Sequence, residues 1–324
     1  MQNNGLNKEA SAYRKNDTDD TVLEDPYTVP YLGIYAVCDD KNERIELIER
    51  SDCFAGACWS FYHYPKSPLI RSARLLGESV RYMIDAGSLP LRLRSSVAAA
   101  GIGSAVIDPE KNEISVTFSG LGGAGIGATK CRASARGVLR YEITESGGEK
   151  EASGTLILPR RRRVLIAVDD TDSKEIGATW TLTHNIVRTV SCDESVFLSH
   201  SLVQLFPVPE KTQNCMSTIL EFGCVSEEAE KKLIDRIRDF LVRYSATPET
   251  GMLVYTGFDV PEDLIDYSRK GRTMRLTKEE AVETAARNNV RIILNGNGVI
   301  GALSAFAWFA QPVESVRPGF PVSE

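Results

Sequence analysis

The chain has 324 residues, 42% of them hydrophobic and 25% charged, with a net charge of −6. That length suits about two domains, and the composition excludes a mainly disordered, collagenous or coiled-coil chain. A net-acidic chain is not a wholly basic nucleic-acid binder, although local basic patches stay open.

No stretch approaches the ~20 apolar residues that span a bilayer, so no membrane partner is expected. Met1–Asp25 is polar and lacks the apolar core of a signal peptide. The seven cysteines, an odd number without a signal, read as reduced thiols of a cytoplasmic protein.

Residues 1–26 are polar and predict a flexible tail; Asp17-Thr18-Asp19-Asp20 within it reads as a solvated run. Tyr31–Val37 and Arg44–Glu49 predict strands around the turn residues Asp39 to Asn42. Leu69, Leu75, Leu76, Val80 and Met83 predict a helix opened by Pro68 and ended by Gly87. On that helix Arg71, Arg74 and Arg81 would share a face, read as solvated or as an anion patch. Ser104–Asp108 with Glu113–Phe118, and Val138–Thr144 with Gly154–Leu158, predict two hairpins. Between them Gly120, Gly122 and Gly125 fit G-x-G-x-x-G with Glu142 beyond, but the segment is short for a crossover helix. A flexible turn that a ligand approaches is the preferred reading there. Cys53, Cys58 and His63 lack the spacing of a zinc knuckle and read as packed thiols.

Pro159 and Arg160 to Arg163 punctuate the chain, and Val164–Val168 then runs as five apolar residues, the pattern of a strand buried on both faces. Helices are predicted over Thr179–Val190, Ser226–Tyr244, Thr277–Asn288 and Gly298–Phe309, with Ser226 and Thr277 as caps. Strands are predicted at Val203–Phe206, Thr218–Glu221, Met252–Tyr255 and Val290–Leu294. The domains expected are thus a tail over 1–26, an N-terminal α/β domain of unknown role over 27–159, a second over 160–310, and a tail over 311–324. The fold class is α/β (α+β), two mixed-sheet domains with flanking helices.

The strongest chemical signal is Asp169-Asp170-Thr171-Asp172-Ser173, directly after the apolar strand. Three carboxylates within four residues repel one another and call for a compensating charge. At a strand end a hard cation such as Mg2+, shared with phosphate oxygens, supplies it most simply. The helix start after Gly177 could receive a phosphate. A solvated acidic turn is the alternative.

This DDTDS run, followed by Gly and a Thr-rich helix start, resembles archaeal tRNA-Ile agmatidine synthase. Lys211-Thr212-Gln213-Asn214-Cys215 resembles that family's Lys-Thr-Arg-Gly-Asn segment, and Gly296-Asn297-Gly298-Val299-Ile300-Gly301-Ala302 its Gly-Arg-Gly-Val-Ile-Gly-Ala segment. The whole chain most resembles methanogenesis marker protein 11, a family of methane-producing archaea that shares this catalytic region.

The resemblance implies a phosphoryl-transfer and ferredoxin-like region binding Mg2+ and ATP over 160–310. By it Asp169, Asp170 and Asp172 hold the metal, and Asp170 and Lys211 act in catalysis. Thr171, Ser173, Gly177, Thr179 and Thr181 would meet the nucleotide from the first motif, Lys211, Thr212 and Asn214 from the second. Gly296, Gly298 and Gly301 would admit it from the third, close helix packing being their alternative role. Lys211 would neutralise phosphate charge.

The chain also departs from the synthase. The position of that family's phosphorylatable Thr falls on Trp180, between Thr179 and Thr181, and the second motif lacks its Arg and Gly. No paired CxxC marks the tRNA-binding zinc ribbon, so no structural zinc is expected. The functions implied are ATP-dependent phosphoryl or nucleotidyl transfer, phosphotransferase or ligase-like, to an unknown protein or RNA acceptor between the domains. The alternatives are a non-catalytic nucleotide-binding assembly factor of the methanogenesis machinery, and an RNA-modification enzyme.

Overall fold

The computed structural model describes residue 23 and residues 25–321. The Asp17–Asp20 run and nearly all of the expected 1–26 tail lie outside the described residues.

The N-terminal half builds two antiparallel sheets on one core. Strands β1 (Gly33–Cys38) and β2 (Arg44–Arg50) pair around a turn in which Asn42 takes φ 58°. Helix α1 (Phe54–His63) follows, its first turn capped by the Cys53 thiol accepting from the Gly56 N–H. The helix predicted from Pro68 to Gly87 is instead a hairpin, β3 (Ile70–Leu76) and β4 (Ser79–Asp85), in sheet order β1-β2-β4-β3. Gly77 makes the turn at φ 60°, and Val80, Tyr82 and Ile84 alternate into the core. A period of two interrupted by a turn had mimicked helical spacing.

The second sheet, ordered β5-β6-β7-β9-β8, comprises β5 (Gly87–Ser88), β6 (Ala100–Asp108), β7 (Glu113–Leu121), β8 (Arg140–Ile143) and β9 (Glu151–Pro159). Between β7 and β8 lie two short helices, α2 (Gly123–Ala128) and α3 (Lys130–Ala133). A six-residue helix returning to an antiparallel strand is not the βαβ unit of a dinucleotide fingerprint. Tyr64, Tyr82 and Phe118 pack at the centre of the core shared by both sheets.

The C-terminal half is one antiparallel sheet ordered β11-β12-β10-β13-β14. Its central strand β10 (Arg162–Asp169) is flanked by β12 (Met216–Cys224) and β13 (Gly251–Thr256), with β11 (Ser195–Gln204) and β14 (Arg291–Asn295) at the edges. On one face Val164, Ile166 and Val168 pack against α4 (Thr179–Val190) and α5 (Glu227–Tyr244). On the other, Leu165 and Ala167 meet α6 (Glu262–Lys270), α7 (Lys278–Arg287) and α8 (Val299–Leu303). The five-residue apolar run is therefore buried on both faces. Ser226 and Thr277 cap their helices, the latter in a full capping box with Glu280.

The helix predicted over Gly298–Phe309 stops at Leu303 and resumes as a 3-10 turn over Phe306–Trp308. The tail expected from residue 311 begins with α9 (Pro312–Ser315), whose buried Ser315 donates to the Leu202 carbonyl at 2.6 Å.

Between the halves, Tyr35, Val37 and Ile48 pack on Val196, Leu198 and Phe258. Beside them runs a buried ionic network. Arg81 donates to both oxygens of Glu221 at 3.2 and 2.7 Å, and Arg163 reaches Glu221 at 2.9 Å. Arg163 also pairs with Glu46, which accepts from Arg74 at 2.6 Å. Arg81 and Arg163 thus face one another's partners across the halves rather than forming a solvated face or linker. Arg161 is buried too, donating to the carbonyls of Gly223 and Asp193.

Candidate functional site

Asp169 ends the central strand and Asp170 turns away from it with φ 51°, in the left-handed region. The turn is held from both sides. Thr250 donates its hydroxyl to the Asp170 carbonyl at 2.9 Å, and the Ala246 N–H donates to Thr171 O at 2.7 Å. One Asp169 oxygen accepts the Asp170 N–H at 2.9 Å. The other lies so close to α8 that a Cβ on Gly301 would sit 1.7 Å from it.

The two upstream motifs meet in space. Thr212 donates to Asp172 at 2.9 Å, and Thr179 does so at 3.4 Å from the start of α4. The Gln213 amide donates to the carbonyls of Ser173 and Gly177. Gly177 adopts φ 91° against Asp172. The acidic loop is thereby stitched to residues 212–213.

These segments border a cleft of about 690 Å3. Asp169 and Asp170 line one side with Lys211, Thr212 and Asn214; Thr247, Glu249, Asn297 and Gly301 line another. Arg275, Thr277 and Lys278 bring the start of α7 to its edge, and Leu205, Phe206, Met274, Leu276 and Ile300 give it an apolar wall.

Burial, then the charge of Asp170, pushes the Asp169 carboxyl well above the usual range. Burial, then Asp172 and Glu249, raises Asp170 to about 6. No neighbouring cation offsets either among the described residues. The cleft's own cations are engaged nearby: Arg275 pairs with Glu210 at 2.5 Å, Lys211 donates to Gln213 O, and Lys278 donates to Asn295 O. Among the described residues no group of three or more His, Cys, Asp or Glu is placed to hold a metal. Asp169 and Asp170 are the carboxylates of the cleft that could hold a cation which keeps its waters and takes phosphate oxygens.

A family model described as the TiaS TCKD domain matches residues 165–294. The protein named Uncharacterized protein MJ0921, of Methanocaldococcus jannaschii, is 38% identical over 284 residues, 86% of this chain and 93% of that one. The chain belongs to the family of that protein.

Solved structures are similar over 44% of the chain. A complex of TiaS with its isoleucine tRNA and ATP is 21% identical with a TM-score of 0.40, the match covering 36% of that chain. A complex of TiaS with the same tRNA, AMPCPP and agmatine is 19% identical with a TM-score of 0.39, again over 36% of that chain. The chain thus spans little more than a third of the length of these solved chains.

Of the residues singled out in the sequence, Asp169, Asp170, Lys211, Thr212, Asn214 and Gly301 line the cleft. Thr171, Asp172 and Thr179 lie behind it in one buried hydrogen-bonded set. Ser173 and Gly177 belong to the outer loop, and Thr181 donates to Ala178 O. Gly296 and Gly298 are spaces for backbone: their Cβ atoms would fall 2.0 Å from Glu249 C and 2.6 Å from Asp169 O. His184 is exposed and stacks on His200 away from the cleft.

Sequence reasoning missed Thr247, Glu249, Asn297 and the 274–278 segment. The capping residue Thr277 carried a signal, since it marks a helix start, and Asn297 lies inside the third motif; the others carry none until the loops meet.

Proposed function

We propose that the C-terminal half is a Mg2+-dependent ATP site catalysing phosphoryl or nucleotidyl transfer to an acceptor, with 27–159 and 160–310 as its two domains. The observation that carries the reading is the Asp169–Asp170 pair, Asp169 buried and Asp170 half-buried, without a counter-charge at the end of the central strand and open to a cleft edged by Lys211 and Lys278. The TiaS TCKD match over the same residues supports it.

In this reading Asp169 and Asp170 hold Mg2+, which when bound neutralises charge on the triphosphate. Asp172 acts through Thr212 and Thr179, holding the acidic loop against 211–214. Lys211 turns from Gln213 O to a phosphate oxygen, and the apolar wall excludes water from the site. Catalysis rests on positioning and electrostatics. The resembled synthase modifies tRNA, which makes RNA the first acceptor class to test. From the resemblance to methanogenesis marker protein 11 we further propose that the activity serves methane-producing archaea, in their cytoplasm.

A second reading is nucleotide binding without transfer, in an assembly factor. Its observation is at α4, where Trp180 is 52% exposed at the place of the resembled family's Thr, and Thr179 is buried on Asp172.

The test measures ATP binding and consumption by purified protein with and without Mg2+, beside Asp170→Asn. Mg2+-dependent binding lost in Asp170→Asn is expected. Binding indifferent to both would end the metal–nucleotide reading, and binding without turnover in the presence of RNA would leave the assembly-factor reading.

A further inference from the structure

The N-terminal half contains a second cavity, of about 430 Å3, far in sequence from the acidic loop. It opens between α1 and α2. Trp59, Tyr31 and Tyr64 form aromatic walls, and Gly123 and Gly127 lie on the α2 side. Its size is that of a small-ligand site.

Two observations mark it as more than loose packing. The first concerns the glycines. Gly120 and Gly125 are required by the fold, because added Cβ atoms would meet Ala124 C at 2.5 Å and Ala152 Cβ at 2.9 Å. Gly123 and Gly127 are not: a Cβ on Gly123 would meet nothing within 4 Å, and one on Gly127 would lie 3.7 Å from Arg132. Neither position is closed by packing against backbone, so the α2 wall of the cavity, with Gly123 exposed, leaves room for an occupant to lie against it.

The second is Arg132, which lines the cavity and is 1% exposed. Its Nε and Nη2 donate to the two Glu49 oxygens at 2.7 and 2.8 Å, and Nη1 donates to Gly127 O at 2.6 Å. A guanidinium has five N–H groups, so three are engaged and two remain for an acceptor. Tyr31, Tyr64 and Phe118 cover its faces at 4.5 to 4.7 Å. An occupant therefore meets Arg132 edge-on, in the guanidinium plane. Glu49 neutralises the charge, and among the described residues no other ionised carboxylate or amine lines the cavity.

We propose that this cavity binds a flat, uncharged heteroaromatic ring, of the class of nucleobases and isoalloxazine-like rings. The ring lies along the Gly123–Gly127 wall, faces Trp59, and presents a carbonyl oxygen or ring nitrogen to Arg132. Aromatic walls and glycine backbone favour a planar occupant over an alkyl chain, and the free N–H groups favour one with an acceptor edge.

The test titrates the full chain with adenosine, guanosine and lumichrome, with indole (flat, without an acceptor) and octanoate (not flat) as controls, followed by tryptophan fluorescence and equilibrium dialysis. Gly123→Leu adds bulk to the α2 wall of the cavity, and its Cβ meets nothing within 4 Å. At least one acceptor-bearing ring is expected to bind saturably with Kd below about 1 mM. Its affinity should fall at least about tenfold in Gly123→Leu and stay unchanged in Asp170→Asn. No saturable binding overturns the proposal. So does equal binding of indole or octanoate, affinity unchanged in Gly123→Leu, or affinity lost in Asp170→Asn, which assigns the ring to the C-terminal cleft.

Discussion

The buried network between the halves makes a quantitative prediction about acid. Burial alone would push the Glu221 carboxyl up, but Arg81 and Arg163, with hydrogen bonds from Arg81 and Ser199, bring it down from 4.5 to about 2. A group with a depressed folded pKa adds stability that is present above its unfolded value and is lost as pH falls towards the folded one. The interval between 4.5 and about 2 corresponds to about 3 kcal/mol at about 1.4 kcal/mol per pH unit. From pH 6 to pH 3.5 the chain crosses about one unit of that interval, so roughly 1 kcal/mol of it disappears. Glu221→Gln cannot show this loss. At pH 6 it should be less stable than wild type by roughly 3–5 kcal/mol, because Arg81 and Arg163 stay buried and lose a charge partner. By pH 3.5 the gap should narrow by roughly 1 kcal/mol. Urea unfolding followed by circular dichroism at both pH values measures it. A gap that is constant with pH would refute the assignment of Glu221 as an ionised centre of the interface.

Two further substitutions probe the cleft. Gly301→Ala places a Cβ 1.7 Å from Asp169 Oδ2 and 2.8 Å from Leu205, so the carboxylate must move; we expect about 1–3 kcal/mol of destabilisation by overpacking. Its Mg2+-dependent ATP affinity should fall at least about tenfold by calorimetry, and a wild-type affinity would separate Asp169 from the site. Thr212→Val removes the 2.9 Å donor to Asp172 and should cost about 1 kcal/mol in thermal unfolding. It should also weaken nucleotide binding without altering the affinity of the N-terminal cavity for its ring.

What the sequence disclosed and what it hid divide by range. Strand β10 and its aspartates were legible because both signals are local: five apolar residues, then charges that repel. The order of the Lys211 and Gly296 segments was legible as resemblance, but not that Thr212 would take Asp172 for itself. Buried arginines were illegible for a plainer reason. Arg81 finds Glu221 across 140 residues, and Arg163 finds Glu46 across 117, so a run that reads as solvated becomes the joint between halves. The 70–85 hairpin was hidden by Gly77, which resets the phase of an apolar pattern that period counting treats as continuous.

Glycine shows the limit most sharply, since one residue type serves opposite ends in two motifs that look alike. In the Gly296–Gly301 segment every glycine is a place where backbone or a carboxylate already stands. The fold demands them whether or not a nucleotide binds. In the 120–127 segment Gly120 and Gly125 answer to the fold, while Gly123 faces open space and Gly127 has only Arg132 Nη1 near it, at 3.7 Å. A motif match cannot separate these cases, because spacing says where a Cβ is missing and not what occupies its place. Only the occupant decides, and at Gly123 no described part of the chain supplies one.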